Sequence, residues 1–348
     1  MFNWFRRKPR TTQVATPASA EPLAPASGLE TEQSEQSSRA AARRATNTAP
    51  PPVTVSSMWE VITERVQQLL ADIPEVHRKT DAPAVLQMIG ESLDTSIGQP
   101  PYAAQRALTV SRNPNSSVDD LAKLFASDPG LAQSLLTHAN SSFYAGVGDH
   151  CTSLASAIQR IGSSGVESVL LSNTVRGVLC RPGGRYDGLV DQVWFHMVRS
   201  GPIARQIAPA FGVEPERAFS MALLHDAGKL VVFEQVSNYR RNNRREVTLP
   251  EELLLKALMR LHEPVGGLAA LRWGLEERAT RAIANHHRSP VPQFADPLGE
   301  VIFLAERIDL AAVNGKPLDL DALWESGGLT GDAGVLRNIL GEDQRLAA

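Results

Sequence analysis

Cysteine is scarce in this chain. There are two among 348 residues, Cys151 and Cys180, and they have no Cys-x-x-Cys spacing. That argues against a disulfide framework and against a thiolate zinc site, and makes a reducing compartment, the cytoplasm, the simpler expectation. Long apolar runs are also missing: no stretch approaches the roughly 20 residues that a membrane span needs. The opening MFNWFRRKPR carries charge with no apolar segment behind it, so it does not read as a signal peptide. No sign of charge dominates. A formal net charge of -3 offers no global attraction for nucleic acid, and none is expected as a partner. Alternating strand patterns and internal repeats are lacking as well. A phosphate-cradling glycine loop is absent, since HDAGK has neither the remaining glycine nor the Ser/Thr of a P-loop.

What is present is mostly helix-forming, and 43% hydrophobic residues suffice for a sizeable core. Residues 1–53 are the exception. They are rich in Ala, Pro, Thr, Ser, Gln and Glu, and cannot bury enough apolar area to offset their ordering entropy. A disordered extension is expected there. Its Phe2, Trp4 and Phe5 stand beside Arg6, Arg7 and Lys8, a cluster able to touch an anionic membrane surface weakly, although a solvated terminus is the simpler reading.

Order is expected to begin near Ser57, where Ser57-Met-Trp-Glu60 has the form of a capping box. Trp59, Ile62, Val66, Leu69, Leu70 and Ile73 then share one helical face, within a helical segment over 54–91. Further on, Ser117 with Asp120 offers a helix cap, and Asp128-Pro129-Gly130 marks a stop and a restart. Gly162 and Gly165 split the next helical pattern, and RPGGRYDG reads as a loop. Pro202, Pro209 and Pro264 interrupt apolar stripes, and each predicts a bend, break or new start. Gly228 suits a helix end, and Thr248-Leu-Pro-Glu251 repeats the capping-box pattern.

The titratable residues gather in the second half. Five helical stretches carry imidazole or carboxylate at or beside an apolar face: His196; His225 with Asp226; His262; His286 with His287; and Glu306 with Asp309. Nitrogen and oxygen donors at such positions suit a divalent iron, manganese, zinc or magnesium ion, and helical bundles build metal sites from facing helices. Taken singly, each residue has an ordinary structural reading. His196 or His262 could be a hydrogen-bonded core histidine, His286-His287 a helix-end cation, Lys229 a neutraliser of a helix dipole. Their joint occurrence is far more specific. Neighbours on a helix point about 100° apart, so His286 and His287 are not expected to share one small ion.

A family resemblance rests on quoted blocks. LLHDAGK, LHEPVGGLAALRWGL and IANHHRSP resemble the HD superfamily of metal-dependent phosphohydrolases. The upstream block QPPYAAQRALTVSRNPNSSVDDLAKLFASDPGLAQSLLTHANSSFYAG is similar to the N-terminal half of an HDOD domain, with its Asp-Pro break and its Asn140-Ser141-Ser142-Phe143-Tyr144 turn. The resemblance covers roughly residues 92–310 and leaves 311–348 as a C-terminal segment. It implies an all-α helical bundle and a bacterial signalling role. It further implies that His196, His225, Asp226, His262 and His286 stand at the superfamily's metal positions. Glu306 then stands where the closing aspartate is usual, with His287 and Asp309 as accessory groups. Asp226 and Lys229 would serve catalysis in an active member. The Gly-Tyr-Pro loop of cyclic di-GMP phosphodiesterases is absent, since RSPVPQFADP follows His287.

The resulting expectation is an HDOD signal-transduction protein that binds regulatory proteins or senses a small phosphate-containing ligand, with a weakly held divalent ion and without efficient catalysis. The alternative is a metal-dependent phosphohydrolase acting on a nucleotide or cyclic dinucleotide. No receiver, GGDEF or EAL motif accompanies the domain, so input and output must come from partners.

Overall fold

The computed structural model describes residues 50–97, 110, 113, 116–141, 144, 150–179, 186–243 and 249–340. Among them every regular element is helical and no strand occurs. Residues 1–49 of the expected extension with its aromatic-basic cluster, Ser142 and Phe143 of the turn, most of the RPGGRYDG loop and Thr248 lie outside the described residues, whereas Pro51 and Val53, at the end of that extension, hydrogen-bond to Arg281 and Glu277.

Helix α1 (Val55–Ala71) starts two residues before Ser57. The cap is Thr54, whose side chain accepts from the Ser57 amide while Ser57 reaches back to Thr54. The capping box is real but is shifted three residues from Ser57-Glu60, because Ser57 itself is polar enough to fill the inner position. The α1 stripe packs on this same chain: Ile62, Val66, Leu69 and Ile73 are buried, with Trp59 and Leu70 against them. Helix α2 (Ala82–Ser96) lies beside it.

Helices α3 (Val118–Ala126) and α4 (Pro129–Ala139) form where the Ser117 cap and the Asp128-Pro129-Gly130 restart predict them. Ser117 and Asp120 complete a capping box, and Asp128 accepts from the amides of Gly130 and Leu131 with Pro129 in the first turn. Both pack on the long α5 (Leu154–Leu179), and their buried faces carry Phe125, Leu131 and Leu135, with Leu136 half-buried. In α5 the helical dihedrals break at Gly162, whose φ of 66° costs a glycine little. Gly165 does not break the helix.

The second half comprises α6 (Asp187–Ile207), α7 (Pro215–Leu224), α8 (Ala227–Asn243), α9 (Glu251–Arg272), α10 (Glu277–Ala284), α11 (Pro297–Asn314), α12 (Leu320–Gly327) and α13 (Ala333–Leu340). Two prolines behave otherwise than their rank predicts. Pro202 lies inside α6 and Pro264 inside α9, and neither ends its helix. An interior proline removes the donor for the carbonyl four residues back. Behind Pro264 that carbonyl belongs to Arg260, and Arg65 of α1 donates to it at 2.6 Å. Burial on both sides of α9, from Leu253 to Ala270, favours continuity further. Pro202 is exposed, so water can serve the carbonyl behind it. Pro209 lies just past the end of regular α-helix at Ile207, in the first turn of a 3-10 segment, Ala208–Phe211.

Gly228 also differs from expectation. It opens α8 rather than closing α7, and a Cβ there would lie 2.0 Å from the His262 carbonyl oxygen. Glycine is required because α8 and α9 touch backbone to backbone at this point. Helix α9 lies against α1, α8 and α10, while α11 lies against α6, α7 and α10. The titratable residues converge at that junction. No helix among the described residues is long and apolar enough to cross a membrane.

Candidate metal centre

His225 caps the C-terminus of α7, and Asp226 directly precedes α8. This junction puts both side chains in the interior, where His225, Asp226, His262 and His286 have no exposed surface and His196 is 1% exposed. A carboxylate just ahead of a helix also meets the positive end of its dipole.

The histidines are held by their Nδ1 atoms. Those of His225, His262 and His286 donate to the carbonyls of Ala222 at 2.6 Å, Leu258 at 2.7 Å and Ile283 at 2.8 Å. Nδ1 of His196 donates to Asp309 Oδ2 at 2.6 Å. Carbonyls and carboxylates only accept, so each Nδ1 carries a proton, and in a neutral ring Nε2 then presents a lone pair. These lone pairs face one another: Nε2 of His196 and His225 are 3.2 Å apart, and Nε2 of His262 and His286 are 3.3 Å apart. Where both rings of such a pair are neutral, two acceptors at this separation repel, and a cation between them would remove the repulsion.

Asp226 joins the two groups. Its Oδ2 is 3.7 Å from His196 Nε2 and 3.6 Å from His225 Nε2. Its Oδ1 is 3.7 Å from Nε2 of both His262 and His286, and has no hydrogen-bond partner although it is buried. Donor atoms of His196, His225 and Asp226 lie within 4.8 Å of one another, and so do those of His262, His286 and His287. Around a zinc-sized ion with bonds of about 2.0–2.1 Å, tetrahedral ligand atoms stand about 3.3–3.4 Å apart. The observed separations fit that spacing, and the all-nitrogen-and-oxygen donor set fits a borderline divalent ion.

Two expectations need correction. His286 and His287 do converge, since Nε2 of His287 is 2.9 Å from Nε2 of His262. The 100° rule fails because α10 ends at Ala284 and the chain leaves helical geometry at Asn285. Glu306, expected to close the ligand set, instead stands behind His287, with Oε2 3.2 Å from its Nδ1. Asp309 supports His196 in the same outer position.

The electrostatics keep the inner groups ready for a cation. Burial pushes His225, His262 and His286 below the usual imidazole range, the last two well below, so they are neutral and can ligate. Burial alone would raise Asp226, yet the Lys229 ammonium, with Nζ 2.6 Å from Oδ2, holds it well below the carboxylate range. His287 is also opposed by burial, but Glu306 beside it lifts it above its ordinary value.

Two supporting residues escaped the sequence reading. Arg199 grips Asp309 with Nε at 2.6 Å and a terminal nitrogen at 3.0 Å. Glu263 accepts the His287 amide at 3.1 Å. The available signals were slight: Arg199 lies one helical turn after His196, and Glu263 directly follows His262.

The HDOD domain model matches residues 97–289, more than half of the chain. The chain belongs to the HDOD family. The match spans α3 to α10 and all five histidines of the centre, His196, His225, His262, His286 and His287, together with Asp226, whereas Glu306 and Asp309 lie beyond it. Solved structures share the HDOD fold. A proposed metal-dependent phosphohydrolase from Shewanella amazonensis SB2B is 18% identical, with a TM-score of 0.59, and the match covers 81% of this chain and 95% of that one. An HDOD domain protein of unknown function from Geobacter sulfurreducens is 21% identical, with a TM-score of 0.50 over 74% of this chain and 89% of that one. A proposed signal transduction protein from Marinobacter aquaeolei VT8 is 18% identical, with a TM-score of 0.51 over 82% and 65% of the two chains. Among curated proteins, an uncharacterized protein of Treponema pallidum (strain Nichols) is 26% identical over 227 residues, which are 62% of this chain and 43% of that protein. The chain thus spans less than half the length of that relative.

Proposed function

We propose that this HDOD protein is a signal-transduction module that holds divalent ions between its two histidine groups and acts by sensing a small phosphate-bearing ligand or binding a regulatory protein, rather than by efficient turnover. One observation carries the metal-holding part: the fully buried Asp226 carboxylate bridges the two groups and keeps Oδ1 bare. An unpartnered buried carboxylate oxygen is costly, and a cation removes that cost.

Six residues would hold the ions: His196, His225 and Asp226 on one side, His262, His286 and His287 on the other, with Asp226 between them. Bound there, a divalent ion supplies Lewis-acid polarisation of a phosphoryl oxygen. The protein's own groups do the rest. Lys229 neutralises Asp226 from the flank, and Glu306 and Asp309 orient His287 and His196. Burial favours sensing over turnover. The side chain of His287 is 11% exposed and lines a cavity of about 540 Å3 with Arg288 and Arg307. A phosphate-bearing ligand entering there meets Arg307 and the edge of His287, whereas Asp226 lies behind them with no exposed surface.

A second reading, a metal-dependent phosphohydrolase, is favoured by the assembly of six donors with Lys229 alongside. One paired measurement separates the two readings. Purified wild type should contain divalent metal, and His225→Ala/Asp226→Ala should lose it, with neither hydrolysing nucleotides or cyclic dinucleotides at an enzymatic rate. Turnover of about 1 s⁻¹ or more that disappears in the double variant would overturn the sensing reading in favour of the second.

A further inference from the structure

The two halves of the centre are anchored differently. On one side, His262 and His286 are locked by backbone carbonyls of their own helices, while the buried Glu306 side chain stands behind His287. The two backbone anchors move only if the helices move, and Glu306, unlike Arg199, does not reach solvent. On the other side, His225 has a backbone anchor, but His196 is held by a side chain, Asp309 Oδ2 at 2.6 Å. Asp309 is held in turn by Arg199 through a two-pronged contact at 2.6 Å and 3.0 Å. His196 and Asp309 are buried, whereas the Arg199 side chain is 42% exposed. A chain of three side chains therefore runs from solvent to one half of the centre.

The shared carboxylate is also unequal. Oδ1, which faces His262 and His286, has no hydrogen-bond partner. Oδ2, which faces His196 and His225, already has the Lys229 ammonium at 2.6 Å. A cation on that side would share its carboxylate oxygen with another positive charge.

We infer that the two half-sites are unequal, and that Arg199 is the positioning residue for the weaker one. Resting on the metal-holding reading above, the inference says that the His262 half binds its ion tightly and independently of Arg199. The His196 half binds more weakly, and its affinity depends on the Arg199 fork keeping Asp309 aligned with Nδ1 of His196. Outer-shell partners that orient a metal-bound histidine typically change affinity by about 10–100-fold when removed. Lysine is a point charge and cannot reproduce the fork.

The test is a stepwise titration of the metal-stripped full chain with cobalt(II), whose visible absorption reports ligand number and type, against a competing chelator. His196→Ala and His286→Ala supply the reference spectra of each half-site. Wild type should take up two ions with distinct affinities. Arg199→Ala should weaken the second ion by about 10–100-fold and leave the first unchanged, with only partial recovery in Arg199→Lys. Thermal unfolding of the stripped chains is the control, and Arg199→Ala should melt close to wild type because its side chain is half-exposed. Equal affinities in wild type, or two unchanged affinities in Arg199→Ala, would overturn the inference while leaving the metal-holding reading intact. Parallel loss of both ions with a lowered melting temperature would make Arg199 a general structural residue and also overturn it. A wild type that binds no cobalt at all would overturn the metal-holding reading itself, and the inference with it.

Discussion

Two of the charge clusters buried among the described residues are built on opposite plans. Around Glu216 of α7, donors surround an acceptor. The Tyr144 hydroxyl donates to Oε1 at 2.5 Å, Arg205 of α6 stands at 3.0 Å, and His138 of α4 lies 3.5 Å from Oε2. Ser168 of α5 and Ser220 of α7 both donate to the Glu216 carbonyl, at 3.3 Å and 2.9 Å. The Arg205 guanidinium also lies 4.2 Å over the Phe219 ring. One positive group meets one negative group, and the cluster ties the first half of the chain to the second. Around Asp226, by contrast, Lys229 answers Oδ2 but Oδ1 has no donor and faces Nε2 of His262 and His286. Burial of charge alone therefore does not distinguish a site from a structural pin. What distinguishes them is whether the buried groups satisfy one another.

The largest expected effect tests the closed cluster. Glu216→Ala leaves Arg205 buried without its carboxylate, and should cost about 3–5 kcal/mol in denaturant unfolding. A loss near zero would mean that Arg205 reaches solvent and that the pin is not closed. The same cluster has a pH signature. Burial alone would raise Glu216, yet His138, Tyr144 and Arg205 outweigh it and bring the group below its ordinary value of 4.5. A depressed folded value means that the stabilisation is fully present above the unfolded value and is lost as pH falls through the folded one. Wild type should therefore lose more stability than Glu216→Gln as pH drops below about 4.5.

The next effect belongs to the open centre. Stripping metal with a chelator should lower stability by about 2.7 kcal/mol relative to free ion at 100 times its Kd. Glu216→Ala should show the same decrement if the two clusters are energetically independent. A chelator effect absent from wild type would break the comparison. A smaller change is expected from Tyr144→Phe, which removes one hydrogen bond to a charged group and should cost about 1.5–3 kcal/mol. Smallest is His286→Leu measured in the stripped protein. It exchanges one hydrogen bond, worth about 0.5–1.5 kcal/mol, for apolar contact, and its cost should grow only when metal is present. A large loss in the stripped state would show that the imidazoles already satisfy one another.

Legibility in the sequence followed the same division. The open centre announced itself because imidazole and carboxylate recur beside apolar helical faces, and His225-Asp226 sits in LLHDAGK. The closed cluster did not. Glu216 follows Pro215 at a helix start, where an acid ordinarily serves the dipole in solvent, and Arg205 reads as one more surface cation. Nothing local shows that Tyr144, 72 positions away from Glu216, will supply a hydroxyl. Outer partners were hard to find for a related reason. Arg199 and Asp309 are 110 positions apart, and only the packing of α6 on α11 brings them together.

By itself the sequence determined the all-helical class, the Ser117 cap, the helix restart at Asp128-Pro129-Gly130, the buried faces of α1, α3 and α4, and which residue types could form a centre. Caps, periodicity and residue chemistry are local properties, and local patterns record them. Tertiary structure alone decided that α6 and α9 run through Pro202 and Pro264, that Gly228 is a helix contact rather than a helix end, and that His287 turns inward while Glu306 stands behind it. Pro264 and Gly228 depend on partners far along the chain. Arg65 answers the carbonyl that Pro264 leaves open, and the His262 carbonyl excludes any side chain at Gly228. The end of α10 at Asn285 frees His287 from helical spacing. A sequence pattern carries the demand for such a partner but not its position, because packing supplies the partner only once the helices have met.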